Sequence, residues 1–159
     1  MGDISLHLST KEIICPGKTC GYDGKPCGTV THDSKLNAAI ESCCHHFLLQ
    51  RTSAERISLH VNSGNRCKVY DREMKERDGL HFDPDKKPSE HTRYWAMDFW
   101  IEWVFPGGAR ERVTEEDLYD YLDDTYPNSA GIGFYSGRIH FDPRPNRARW
   151  GNRPGSTSP

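Results

Sequence analysis

No stretch of this 159-residue chain approaches the roughly 18 consecutive apolar residues that a membrane-spanning helix needs, so no membrane span is expected. Charge of one sign is not in excess either. Twenty-one Lys and Arg residues face 23 Asp and Glu, for a formal net charge of −2. No basic face dominates, and nucleic acid is therefore not expected as a partner. The opening Met1-Gly2-Asp3-Ile4-Ser5 lacks the basic and apolar regions of a signal peptide. Ser5 is also at the wrong spacing from Gly2 for a myristoylation signal. No internal repeat is present, which argues against a solenoid or propeller.

What is present is the composition of one soluble domain. Apolar residues make up 35 % and charged residues 28 %, and this length can bury a proper core without covalent staples. The expected organisation is a single domain over residues 1–150. Residues 1–32 form its N-terminal arm and cysteine-rich loop, and residues 151–159 are a disordered tail rich in Gly, Pro and Ser. Six cysteines occur: Cys15, Cys20, Cys27, Cys43, Cys44 and Cys67. The first three lie in a Gly/Lys-rich loop at spacings of five and seven, which is not a zinc-finger pattern. Disulfides, thiols and a second, structural metal all stay open for the set.

Helical spacing of Leu36, Ile40, Cys43 and Phe47, with Asp33 or Ser34 as cap, predicts a helix to about Gln50. Cys43 and Cys44 then read as small buried hydrophobes, and His45 and His46 as helix-surface histidines. Alternation of Ile57, Leu59 and Val61 predicts a strand over 56–62, with His60 as a hydrogen-bonded structural histidine. A turn at Ser63-Gly64-Asn65-Arg66-Cys67 follows, then a short helix over 68–77 stopped at Asp78-Gly79. Thr114 and the acids after it form a capping sequence for a helix carrying Leu118, Tyr121 and Leu122. Residues 130–142 read as a hairpin turning at Ser136-Gly137, and residues 143–150 as an arm leaving it. Ile4, Leu6 and Leu8 suggest a short edge strand or arm. The sum is an α+β domain: a small antiparallel sheet with helices packed on one side, and a candidate site in a cleft on the sheet.

The chemistry concentrates in two stretches. From residue 95 to 103 the chain alternates, with Trp95, Met97, Phe99, Ile101 and Trp103 on one face and Ala96, Asp98, Trp100 and Glu102 on the other. Period two with bulky side chains predicts a half-buried strand over 95–104, with Asp98 opposite the apolar row. The tryptophans read as core rather than as a sugar-stacking platform. In Arg138-Ile139-His140-Phe141-Asp142, Arg138, His140 and Asp142 share the face opposite Ile139 and Phe141. His91, just before the first strand, can join Asp98 and His140 around one cation. Two imidazoles and one carboxylate leave a position open for water, which is the catalytic rather than the structural zinc pattern.

Ser63-Gly-Asn-Arg66, Ser89-x-His91, Ala96-x-Asp98, Gly131-Ile-Gly-Phe-Tyr135 and His140-Phe-Asp142 followed by Arg147-Ala-Arg-Trp150 occur in that order. Together they resemble the M15 metallopeptidases, the zinc D-Ala-D-Ala carboxypeptidases and peptidoglycan endopeptidases, in the branch whose last strand reads His-x-Asp. The resemblance covers roughly residues 30–150. It implies a hedgehog/D-Ala-D-Ala-peptidase-like fold and zinc (Zn2+) on His91, Asp98 and His140. It places Arg66 at the scissile carbonyl or the substrate carboxylate, where a fixed guanidinium suits either task. Ser89 and Tyr94 become candidate substrate-binding residues. The family carries Gly three residues after its first His ligand, where this chain has Tyr94. Many members carry an acid three residues before the last His, where this chain has Gly137. Asp142, about 7 Å from His140 along the strand face, is then the candidate general base or a partner that orients His140. Glu90 and Glu102 are weaker candidates, and His81 lies close by in the chain. The implied activity is hydrolysis of amide bonds in peptidoglycan stem peptides or cross-links by a monomeric, endolysin-like enzyme acting at the cell wall or periplasm. A dipeptidase is a rival. So is a catalytically inactive module of the same fold that binds a wall peptide or a protein partner.

Overall fold

The structure is a computed structural model that describes residues 5–18, 26–28, 33–79, 89–93 and 95–151. Cys20, His81, Tyr94 and the tail 152–159 lie outside the described residues. Over these described residues the chain is α+β, with four α-helices and a mixed six-stranded sheet. Helix α1 is the single turn Thr10–Ile13, α2 is Ser34–Gln50, α3 is Lys68–Arg77 and α4 is Glu115–Thr125. The strands are β1 (Arg56–Ser63), β2 (Met97–Val104), β3 (Arg110–Arg112), β4 (Gly131–Tyr135), β5 (Arg138–Asp142) and β6 (Ala148–Gly151). Their order is β1-β2-β5-β4-β6, with β3 also paired to β2.

Local chemistry sets the element ends. Asp33 caps α2 by accepting from the Lys35 and Leu36 N–H groups at 2.8 and 3.0 Å. Thr114 caps α4 through the Asp117 N–H at 3.1 Å. Both satisfy amides that a helix start leaves without partners. Cys67 caps α3, its sulfur accepting from the Tyr70 N–H. The β4–β5 hairpin turns as expected, with Gly137 at φ +82°.

The alternation in β2 divides the sheet into two unlike faces. Phe99, Ile101 and Trp103 join Ile57 and Leu59 of β1, Ile132 and Phe134 of β4, and Ile139 and Phe141 of β5 in one core. Helix α2 covers that face with Leu36, Ala39, Ile40, Cys43, Cys44 and Phe47, and α4 with Leu118, Tyr119 and Leu122. Trp103 donates its indole N–H to the Phe47 carbonyl at 2.7 Å, tying β2 to α2. The opposite face carries Asp98, His140 and Asp142.

Several expectations need correction. The arm 143–150 is instead a return: residues 148–151 form β6, parallel to β4, so the sheet is mixed rather than antiparallel. The backbone N–H of Ala148 reaches the Ala130 carbonyl at 2.9 Å and starts that pairing. Gly151 closes this strand and does not belong to a tail. Strand β2 starts at Met97 rather than Trp95, which is 37 % exposed and lies against the Arg93 guanidinium at 4.6 Å. The N-terminal alternation forms no strand over the described residues 5–9. Leu8 is buried there, while Leu6 points outward. Helices α2 and α4 share one side, but α3 borders the opposite, polar face.

Candidate metal centre

The sheet register places the site. Asp98 of β2 faces His140 of β5, His140 faces Gly133 of β4, and Gly133 faces Trp150 of β6. These four form a row across the polar face. His91 reaches the same place from a turn over residues 89–93. The ligating atoms of His91, Asp98 and His140 all lie within 4.8 Å of one another, and all three residues are buried. They line an open cleft of about 470 Å³ together with Arg66, Glu90, Arg138, Tyr135, Arg144 and Trp150.

The hydrogen bonds around the two imidazoles suit a cation. His91 Nδ1 lies 2.9 Å from the Gly64 carbonyl. A carbonyl only accepts, so this nitrogen donates to it, and Nε2 faces Asp98 Oδ1 at 3.3 Å, where it can share a proton with the carboxylate or ligate a cation. His140 places Nδ1 2.8 Å from the same Asp98 oxygen. Its Nε2 lies 3.0 Å from Asp142 Oδ2. In both rings the outer nitrogen is held by an oxygen and the inner one faces Asp98. That is the outer-sphere pattern of metal-ligating histidines, and two imidazoles and a carboxylate are a donor set that could hold a metal ion.

Electrostatics point the same way. Burial would raise the Asp98 carboxyl, but hydrogen bonds from His140 and His91 outweigh it and hold the group well below the ordinary carboxylate range. Burial would lower His140, yet its bonds to Asp142 and Asp98 raise it. Asp142 is fully buried. Desolvation pushes it up, and His140 and Arg144 more than reverse that. An anionic carboxylate beside paired imidazoles binds either a proton or a metal cation.

The predicted residues come together unevenly. Arg66 stands at the cleft with Nη2 3.8 Å from Asp98 Oδ2. Ser63 Oγ at 2.9 Å and Asp71 at 3.8 Å hold its guanidinium. Ser89 lines the cleft, but its hydroxyl bonds Asp71 at 3.1 Å and Thr92 at 2.9 Å and so builds the turn that presents His91. Asp142 is gripped by Arg144 on both oxygens at 2.6 Å each and does not line the cleft. Glu102 is out of reach, engaged by His60 at 3.0 Å and Arg110 at 2.9 Å. His60 also stacks on Trp100, with ring centres 3.7 Å apart, as a structural histidine should. His46 bonds Gln50 and stacks on Tyr121. The Trp trio forms no platform, since Trp103 is core and Trp95 is separately exposed.

The sequence reading put Arg138 on the His140 face and Trp150 in the closing motif, but three roles escaped it. Arg144 clamps Asp142, Arg138 sits 3.9 Å from Asp98, and Trp150 walls the cleft. The Trp150 ring lies 5.0 Å from that of His140, and its N–H donates to the Tyr135 hydroxyl at 2.8 Å. The signal for Trp150 was Gly133. A Cβ there would meet the Trp150 indole nitrogen at 2.5 Å, so the glycine marks where the indole lies flat on β4.

A second group that could hold a metal ion is Cys15, Cys27 and Cys67, whose sulfurs lie within 4.8 Å of one another. Among the described residues no disulfide is formed, and none has a helix long and apolar enough to cross a membrane. Comparison with protein-family models, curated proteins and solved structures finds no match for the chain.

Proposed function

We propose that this chain is a zinc peptidase of the M15 type, with the D-Ala-D-Ala-peptidase-like fold, that hydrolyses amide bonds in peptidoglycan stem peptides or cross-links. The observation that carries the reading is the convergence of His91, Asp98 and His140 in the wall of an open cleft. The order of the five motifs in the chain supports it. Zinc held by these three residues would supply a water of lowered pKa and polarise a carbonyl at the open position.

The chain's own residues do the rest. Gly64 and Asp142 fix the two imidazoles through their outer nitrogens. Arg66 and Arg138 set two guanidinium groups beside Asp98, where they can hold a substrate carboxylate or the negative charge that develops on the scissile carbonyl oxygen. The proton acceptor follows by elimination among the named carboxylates. Asp98 is a ligand, Asp142 is buried in the Arg144 clamp, and Glu102 is paired elsewhere. Glu90 adjoins His91 and lines the cleft, with Arg93 and Arg144 only loosely beside it at 3.6 and 3.9 Å, so it is the carboxylate that would take a proton from the attacking water and pass it to the leaving amine.

Purified protein dialysed against zinc tests the reading. The expected result is release of peptides from isolated peptidoglycan, abolished by His91→Ala together with loss of the cleft zinc. Glu90→Gln should keep zinc and lose roughly 10²–10⁴ in turnover, the usual size of a general-base contribution. Zinc binding with no hydrolysis would favour the alternative, a binding module of the same fold. No zinc in this cleft would refute both the metal and the peptidase.

A further inference from the structure

The cysteine cluster stands apart from the cleft and has its own chemistry. Cys15 follows the end of α1 and is buried, while Cys27 and Cys67 are partly buried. Cys67 is the cap of α3, where the helix N-terminus favours a negatively charged sulfur. The Tyr70 N–H points at the Cys67 sulfur and the Cys67 N–H at the Cys15 sulfur, both at 3.4 Å. These donated amides fix where both sulfurs point, while burial outweighs them and pushes the Cys15 thiol up. One disulfide would use two of the three sulfurs and leave the third facing it. A single soft cation uses all three. Tetrahedral zinc with bonds of about 2.3 Å spaces its sulfurs by about 3.8 Å, inside the observed limit.

We propose that Cys15, Cys27 and Cys67 bind a second, structural zinc ion that clamps the N-terminal segment onto the Arg66 turn. The clamp has a mechanical consequence. The Asn65 N–H bonds the Ile13 carbonyl at 3.2 Å and the Arg66 N–H bonds the His91 carbonyl at 3.2 Å. A Cβ on Gly64 would meet Ile13 Cα at 2.8 Å, so the turn lies flush on the end of α1. Gly64 also accepts from His91. Residues 13–15, 64–67 and 91 are therefore one connected unit, and a cation on the three sulfurs would lock it through Cys15 and Cys67. This inference does not depend on peptidase activity.

X-ray absorption at the zinc edge, on protein purified with reductant and zinc, reads the proposal directly. The expected spectrum contains a sulfur shell at about 2.3 Å, three sulfurs for this ion averaged with the nitrogen and oxygen neighbours of any zinc in the cleft. His91→Ala should leave that shell intact, and Cys15→Ser combined with Cys67→Ser should remove it, together with one zinc per chain. The double variant should also melt at lower temperature and bind zinc more weakly at the cleft. Should the double variant fail to fold, cobalt-loaded wild type decides by the presence or absence of sulfur-to-cobalt charge-transfer absorption. A wild-type spectrum with only nitrogen and oxygen neighbours overturns the proposal, as does a disulfide between any two of these cysteines in the reduced preparation. A sulfur shell in a protein without hydrolytic activity leaves this inference standing and removes only the peptidase.

Discussion

Asp142 shows how one residue's role changes once its neighbours are known. In the sequence it shared a strand face with His140, and that parity is what the register retains. What the sequence could not supply was Arg144, two residues on, folding back to grip both oxygens. A carboxylate held in this way orients an imidazole better than it accepts protons. Asp142→Asn should therefore weaken zinc at the cleft by about 10–100-fold, the range for losing an outer-sphere partner, while zinc-saturated turnover falls far less than in Glu90→Gln. Competition with a chromogenic chelator measures the first quantity and saturated rates the second. His91, Asp98 and His140 were legible because period-two alternation exposes polar residues that break an apolar row. Arg138 and Trp150 were visible there as a face-mate of His140 and the end of a motif, but their contacts with Asp98 and Gly133 depend on strand pairings far apart in the chain.

Among the elements, β6 is the one that propensity failed to place. Its four residues, Ala148 to Gly151, carry two side chains that turn inward for reasons outside the segment. Arg149 bonds the Tyr126 and Ala130 carbonyls at 2.8 and 2.7 Å, and Trp150 lies across Gly133. By contrast, α2, α3, α4, β1 and the β4–β5 hairpin were readable from caps, periodicity and turn residues, since those signals are local. The pairing of Gly133 with Trp150 gives an element-level test. Gly133→Ala forces the indole off β4 and should cost about 1–3 kcal/mol, the usual penalty for overpacking. It should also change the near-ultraviolet dichroism of the tryptophans and raise KM more than it lowers kcat. Denaturant unfolding and steady-state kinetics on one preparation measure all three.

The whole molecule is a sheet with a dry side and a working side. Phe47, Phe99, Ile101, Leu118, Leu122, Ile132, Ile139 and Phe141 are essentially inaccessible, and they hold β2 and β5 in the register that aligns Asp98 with His140. The dry side has its own pH signature. Burial, with the Glu41 charge adding to it, pushes the Cys44 thiol from 9.0 up to about 12, and burial pushes Cys43 up as well. Between pH 9 and 12 the unfolded chain has released protons that the native chain still holds, so stability is present below pH 9 and declines as pH rises through that window. Urea midpoints at neutral pH and midway through the window should show the decline, and a Cys44→Ala variant should show less of it. Native protein at mildly alkaline pH should likewise protect Cys43 and Cys44 from alkylation.

The central claim is that the working side hydrolyses a wall peptide through His91, Asp98 and His140. Mass spectrometry of defined stem peptides and cross-linked dimers, incubated with zinc-loaded wild type and Asp98→Asn, tests it most directly. The account predicts cleavage at one amide by the wild type, at a rate that follows zinc occupancy, and none above background for Asp98→Asn. Intact substrates after incubation with fully zinc-loaded wild type, or equal cleavage by the two proteins, would contradict it.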